Sequence, residues 1–238
     1  MAAAIHLGRW QEAEQADAAF SALPTPSIDA YRAGGIEYYR CRMAFARGTL
    51  SARAIDETRA IANRENSLEY VRRLYSLSAE FALEEGRPAD ALEPLEQGLA
   101  LSARSGIQPT REQSLTARAL AELGRRPEAA AAVEELLAAE DSEQLFLVRG
   151  HLAQACLALG QTDAARELAL QAYRDAWADG PPYSFWWEQQ QAKKLLARLA
   201  VAEPALPTFD PAKVEPIPHE RGILAAIGKL ERGKASAT

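Results

Sequence analysis

Cysteine is nearly missing from this chain: Cys41 and Cys156 are its only two in 238 residues, which excludes a disulfide-built scaffold. Each stands among helical apolar residues, where a thiol serves as a small hydrophobe, so a reduced, cytoplasmic setting is expected. Long apolar runs are missing too, since no stretch approaches the about 18 residues a membrane span needs. The start, Met1 to Gly8, lacks the basic opening and apolar core of a secretory leader. No membrane partner is expected. Basic residues are not in excess either: 27 Lys and Arg face 33 Asp and Glu, a net charge of -6, which argues against a nucleic-acid partner. β-branched residues are sparse while alanine and other strong helix formers abound, so an all-α fold is expected.

The residue patterns of catalysis are also lacking. His219-Glu220-Arg221-Gly222-Ile223 opens like a zinc-protease motif but has no second histidine, and a metal needs both on one helix face. Gly222 and Gly228-Lys229 fail as a phosphate loop, because the glycine spacing is wrong and Leu230 stands where a hydroxyl would hold magnesium. The three histidines, His6, His151 and His219, lie far apart, and no Gly-x-Ser-x-Gly occurs. No catalytic residue, cofactor or metal site is therefore expected, and the chain does not read as an enzyme.

What is present is a period. Gly8, Gly48, Gly86, Gly124 and Gly160 follow one another at steps of 40, 38, 38 and 36 residues. Before Gly86, residues Leu74, Tyr75, Ala79, Ala82 and Leu83 recur at three- and four-residue steps, and after it Ala91, Leu92, Leu95 and Leu99 carry a second stripe. Glycine ends the first helix by accepting positive φ, and Pro88 opens the next. The next two units repeat the arrangement around Gly124, with Pro127, and around Gly160. Small residues at matching points, Ala79, Ala117 and Ala153, then Ala91, Ala129 and Ala165, let the paired helices approach closely. Pro94 lies past the first turn of its helix, where a kink is expected.

The phrases Ala-Leu-Ala-Glu-Leu-Gly124-Arg-Arg-Pro-Glu-Ala129 and Ala-Cys-Leu-Ala-Leu-Gly160-Gln-Thr-Asp-Ala-Ala165 resemble the centre of a tetratricopeptide repeat. The resemblance covers roughly residues 1–200 and is strongest over 68–173. It departs from the family in a period longer than about 34 residues and in a mostly missing early aromatic. Loops at Asn63 to Ser67 and Gly106 to Pro109 are expected to absorb the excess. The resemblance implies a right-handed α-solenoid of antiparallel helix hairpins acting as a protein-binding scaffold.

The ends qualify that array. Before Gly8 only about seven residues remain for a first helix, which is short for stability, and the face of Trp10, Ala13, Ala16 and Phe20 is expected to be incompletely covered. The chain then reads as a piece of a longer array, or as one whose open N-terminal face meets a partner or a second copy. At the far end, Gly180-Pro181-Pro182 stops the last unit, and Tyr183 to Ala200 forms a capping helix with Glu188, Lys193, Lys194 and Arg198 in water. Trp177, Tyr183, Phe185, Trp186 and Trp187 are expected to plug its junction with the last hairpin. Residues 201–218 form a proline-rich connector, and residues 219–233 an amphipathic tail helix. That tail helix either seals the last repeat or lies in the groove.

In the family's arrangement, residues six, ten and thirteen before each glycine face the concave groove. Here they are Tyr38 and Arg42, then Arg73, Ser76 and Glu80, then Arg111, Ser114 and Arg118, then Gln154, with Trp186, Gln189 and Lys193 on the capping helix. An arginine stripe in an acidic chain suits a protein or peptide partner carrying carboxylates or phosphates, which guanidinium forks bind in bidentate fashion. The same arginines suit ordinary ion pairs with Glu69, Glu80 and Glu122, and both readings stay open. The other function the sequence suits is a sensor or regulatory domain, or a subunit, of a larger bacterial signalling, transcription-control or defence NTPase assembly. An RNA-binding repeat is disfavoured by the acidity and by missing base-reading pairs.

Overall fold

The computed structural model describes residues 1–22, 30–138, 145–146, 148–214, 219 and 222–226, with side chains from 34 onward in its third helix. The turn glycines take the backbone that their spacing requires. Gly8, Gly48, Gly86, Gly124 and Gly160 have φ of +68°, +69°, +70°, +76° and +80°. The residue after each donates its amide back across the turn, Thr49 to the Ala44 carbonyl and Arg87 to the Ala82 carbonyl, both at 2.9 Å. This closure satisfies a carbonyl at the helix end and reverses the chain.

Between these turns run α1 (Ala2–His6), α2 (Trp10–Ser21), α3 (Ala30–Ala46), α4 (Ala52–Arg64), α5 (Leu68–Glu84), α6 (Ala89–Ser105), α7 (Thr110–Glu122), α8 (Arg126–Ala138), α9 (Arg149–Ala158), α10 (Thr162–Trp177) and α11 (Trp186–Arg198). No strand occurs among the described residues. Local chemistry sets several starts: the Ser51 hydroxyl accepts the Ala54 amide at 3.2 Å and caps α4. Pro88 stands as the N-cap of α6, and α6 runs on through buried Pro94. Of the connections that lengthen the period, 106–109 lies where expected, whereas the first is reduced to residues 65–67 because α4 keeps Asn63 and Arg64.

Each odd-numbered helix packs against the next odd one, and each even helix packs on the odd helix before it. The result is a helical-repeat array in which α1, α3, α5, α7, α9 and α11 make one layer. Its core is a series of clusters. Cys41, Phe45, Ile55, Leu74 and Leu77 form one, Ala79, Leu83, Leu95 and Leu115 the next, and Val133, Leu152, Cys156, Leu168 and Tyr173 belong to a third. Alanines Ala79, Ala91, Ala117, Ala129, Ala153 and Ala165 are fully buried, as close helix approach demands.

One helix breaks the purely neighbour-to-neighbour pattern. The C-terminal half of α11 buries Ala192, Leu195, Leu196 and Leu199 in the third cluster, as a cap should. Its first turn instead sends Trp187 into the first cluster, with its ring 4.5 Å from that of Phe45. Trp186 meets Trp10 edge-to-face at 5.0 Å and lies over Gly8. On the face expected to be incompletely covered, Trp186 packs on Trp10 and Ala13 is buried, while Trp10, Ala16 and Phe20 are half-buried.

The aromatic residues expected to form one plug are divided accordingly. Trp177 stacks near Tyr173 and donates to the Pro207 carbonyl at 2.7 Å, whereas Phe185 meets His6 and Phe146, and Tyr183 is exposed. Their separation follows from Ala178 and Gly180, both with positive φ, which turn the chain between Trp177 and α11. The compact unit ends at Pro207, and residues 208–238 form a second unit. There, Pro211–Lys213 make one short turn of 3-10 helix, and residues 222–226 are helical with exposed Ile223 and Leu224. The remainder of the expected 219–233 helix, including Ile227 and Leu230, lies outside the described residues.

Candidate functional site

The positions assigned to the groove all lie on odd-numbered helices, and half of the twelve are buried. Arg42, Ser76, Glu80, Ser114, Arg118 and Gln189 are all buried. Glu188 and Trp187 of α11 reach Arg42 and Glu80, while Glu112 and Glu84 hold Ser76 and Arg118 where α5 packs on α7, so charge is matched inside the array. Arg118 pairs with Glu84 at 2.9 Å and Glu122 at 2.7 Å, and the Ser114 hydroxyl donates to the Arg111 carbonyl. Lys193 pairs with Glu203, and Trp186 packs on Trp10, so these four serve structure at their positions.

Glu80 is the hub. It is 2% exposed, its Oε2 accepts from Arg42 at 3.0 Å and from Arg111 at 2.5 Å, and its Oε1 accepts the Trp187 indole N–H at 3.2 Å. Burial works against its charge, yet Arg111 and Arg42 hold its carboxyl well below the usual range. A buried ion matched on both oxygens remains charged. Glu188 stands 3.8 Å from Arg42, too far for a hydrogen bond, and its Oε2 is buried without a partner.

Two cavities adjoin this hub. The larger, about 390 Å³, is lined by Tyr38, Arg42, Arg72, Arg73, Ser76, Glu80 and Arg111 from α3, α5 and α7, by His6 of α1 and Glu188 of α11, and by Phe146 from the turn before α9. Four arginines face two glutamates there. Burial pushes the His6 imidazole down, and Arg42, Arg111 and Arg73 act the same way against the pull of Glu188. Arg73 gives its Nε to Glu69 at 2.6 Å and lies over the rings of Tyr38 and Tyr70. Its remaining N–H groups bond nothing among the described residues, and its side chain is 39% exposed.

The smaller cavity, about 30 Å³, is lined by Glu80, Glu84, Arg111, His151, Gln154, Trp187, Glu188 and Gln191. Three glutamates face one arginine there. His151 Nδ1 and Gln191 Nε2 are buried and unpartnered, as is Glu188 Oε2. Burial, aided by Arg111, Arg118 and Arg42, pushes His151 down to about 3, so its ring is neutral at pH 7.

Of the expected positions, the array therefore gathers Tyr38, Arg42, Arg73, Ser76, Glu80, Arg111 and Gln154 around one cleft. The sequence reading missed Arg72, His151, Trp187 and Glu188. Arg72 reaches Glu112 of the next hairpin at 2.5 Å, beside Ser76, which donates to the same carboxylate at 2.6 Å, and its place next to Arg73 was the only sequence signal for it. Glu188 and Trp187 were not, because they meet helices a hundred residues earlier. Among the described residues, no group of His, Cys, Asp and Glu could hold a metal, and no helix is long and apolar enough to cross a membrane. No protein-family model, no curated protein and no solved structure matches this chain.

Proposed function

We propose that the chain is a non-catalytic interaction module, a right-handed solenoid of tetratricopeptide-type hairpins, that holds a carboxylate-bearing segment of a protein partner. The observation that carries this reading is the basic cavity, where Arg73, which lines it with Arg111, has N–H donors uncommitted among the described residues. A guanidinium that bonds only one carboxylate oxygen retains its bidentate edge for another anion. Tyr38 and Phe146 supply apolar walls, and the volume suits one or two residues of a partner, in place of the long groove that uncovered inner helices would offer.

A second reading rests on α11. Because this helix joins the last cluster to the first, whatever enters the cleft contacts both ends of the array at once. That suits a sensor or regulatory subunit of a larger bacterial signalling, transcription-control or defence NTPase assembly.

The test is fluorescence anisotropy with a labelled glutamate-rich peptide and its glutamine counterpart, on the full chain and on Arg73→Glu. Arg73 is partly exposed, so its reversal spares the fold. Binding of the acidic peptide alone, lost in the variant, supports the proposal. Equal binding of both peptides, or no effect of the reversal, refutes it.

A further inference from the structure

The cleft is charged in two senses. The larger cavity has an excess of arginine and the smaller an excess of glutamate, and Glu80, Arg111 and Glu188 line both. A ligand that filled only the basic side would leave the acid side unmatched. Of the three glutamates there, Glu80 has both oxygens bonded, by Arg42, Arg111 and Trp187, and Glu84 accepts from Arg118 on one oxygen. Glu188 Oε2 is the glutamate oxygen there that is buried and without a partner. Next to it, His151 is nine-tenths buried with Nδ1 unpartnered. Buried polar atoms without partners cost about 1–3 kcal/mol each, and three border this small cavity, Glu188 Oε2 and His151 Nδ1 with Gln191 Nε2, so it is poised to take a polar group.

We infer that the cleft recognises an ammonium and a carboxylate carried close together, the chemistry of a free amino terminus whose first residue is acidic. The ammonium enters the acid-lined cavity at Glu188 Oε2, and the carboxylate meets Arg73 and Arg111 in the basic one. A cavity of about 30 Å³ admits a group of water or ammonium size but no larger side chain. The neutral His151 adds no repulsion, and Gln154 borders the same space. The alternative source of this chemistry is a free acidic amino acid, which the larger cavity also accommodates.

This inference rests on the carboxylate reading of the basic cavity, and one experiment separates the two. A peptide beginning with glutamate, labelled at its far end, is titrated into the full chain in free and N-acetylated forms, with free L-glutamate as competitor. Acetylation removes the ammonium and leaves the carboxylate. The expected result is at least about tenfold weaker binding after acetylation, the scale of one lost charge-assisted hydrogen bond. Glu188→Gln binds both forms alike, whereas Arg73→Gln weakens both. Competition by millimolar L-glutamate supports the inference with a free amino acid as the source, and its failure supports it with a chain terminus as the source. Equal affinity of free and acetylated peptide overturns the inference while leaving the carboxylate reading intact. If neither form binds, both fall.

Discussion

Replacing Glu80 by glutamine keeps the side chain's shape and removes its charge, and it should be among the most damaging single changes to this array. Nothing is lost in volume, so no cavity term enters. What is lost is the anion shared by Arg42 and Arg111 inside a 2% exposed site, with Arg42 itself only 8% exposed. Arg42 then has Glu188 at 3.8 Å as its nearest carboxylate, and Arg111 loses its hydrogen-bonded anion and retains the attraction of Glu188. Removing one member of a buried ion pair costs about 3–5 kcal/mol because the remaining charge stays buried. The amide oxygen of glutamine still accepts the Trp187 N–H, which places the expected loss toward about 3 kcal/mol. Urea unfolding followed by circular dichroism measures it, with Glu57→Gln as the reference. Glu57 pairs with Arg53 in the open, 61% and 87% exposed, so its loss should stay within about 0.5 kcal/mol. If Glu80→Gln costs no more than Glu57→Gln, the hub is not a buried, matched ion and the reasoning fails.

Three further outcomes follow from the same contacts. Gly48→Ala meets open space at φ +69° and should cost about 1–2 kcal/mol for its left-handed backbone. Gly8→Ala has nearly the same φ but places Cβ 2.5 Å from Trp186 Cγ, so it should cost about 1–3 kcal/mol more; equal losses by thermal unfolding would deny the contact between α11 and the first turn. His151 is depressed in the folded state and titrates ordinarily when unfolded, so the unfolded chain binds the extra proton between pH 6.5 and about 3. Stability should therefore fall as pH drops below 6.5, by up to about 1.4 kcal/mol per unit, and His151→Gln should flatten that slope; an unchanged slope in pH-dependent unfolding would contradict the assignment. Leu196→Ala, at a fully buried position, should lose about 2–5 kcal/mol, and a loss under about 1 would place α11 off the array.

The sequence made the turns legible because a turn is local. Gly48, Gly86, Gly124 and Gly160 announce positive φ by residue type alone, and the alanines around them report close helix approach without reference to distant residues. The layer to which Tyr38, Arg73 and Arg111 belong was likewise readable from register. Their degree of exposure was not. Glu80 and Trp187 are 107 residues apart, and no periodicity within a unit encodes how far a stack of units curves. Small rotations between successive hairpins accumulate along such an array, and their sum decided that α11 would meet α3 and α5. The charged first turn of α11 read as solvent-facing for that reason, although Glu188 faces Arg42. The aromatic run was misjudged in the same way, since its members lie close in sequence but on opposite sides of a sharp turn.

The central question is whether a ligand lands in the inner cleft. Hydrogen–deuterium exchange on the full chain, with and without the glutamate-initiated peptide, addresses this residue by residue. The predicted result is slower exchange in α5, α7 and the first turn of α11, around Arg73, Arg111 and Glu188. Protection confined to the even-numbered helices α4, α6 and α8 would contradict it.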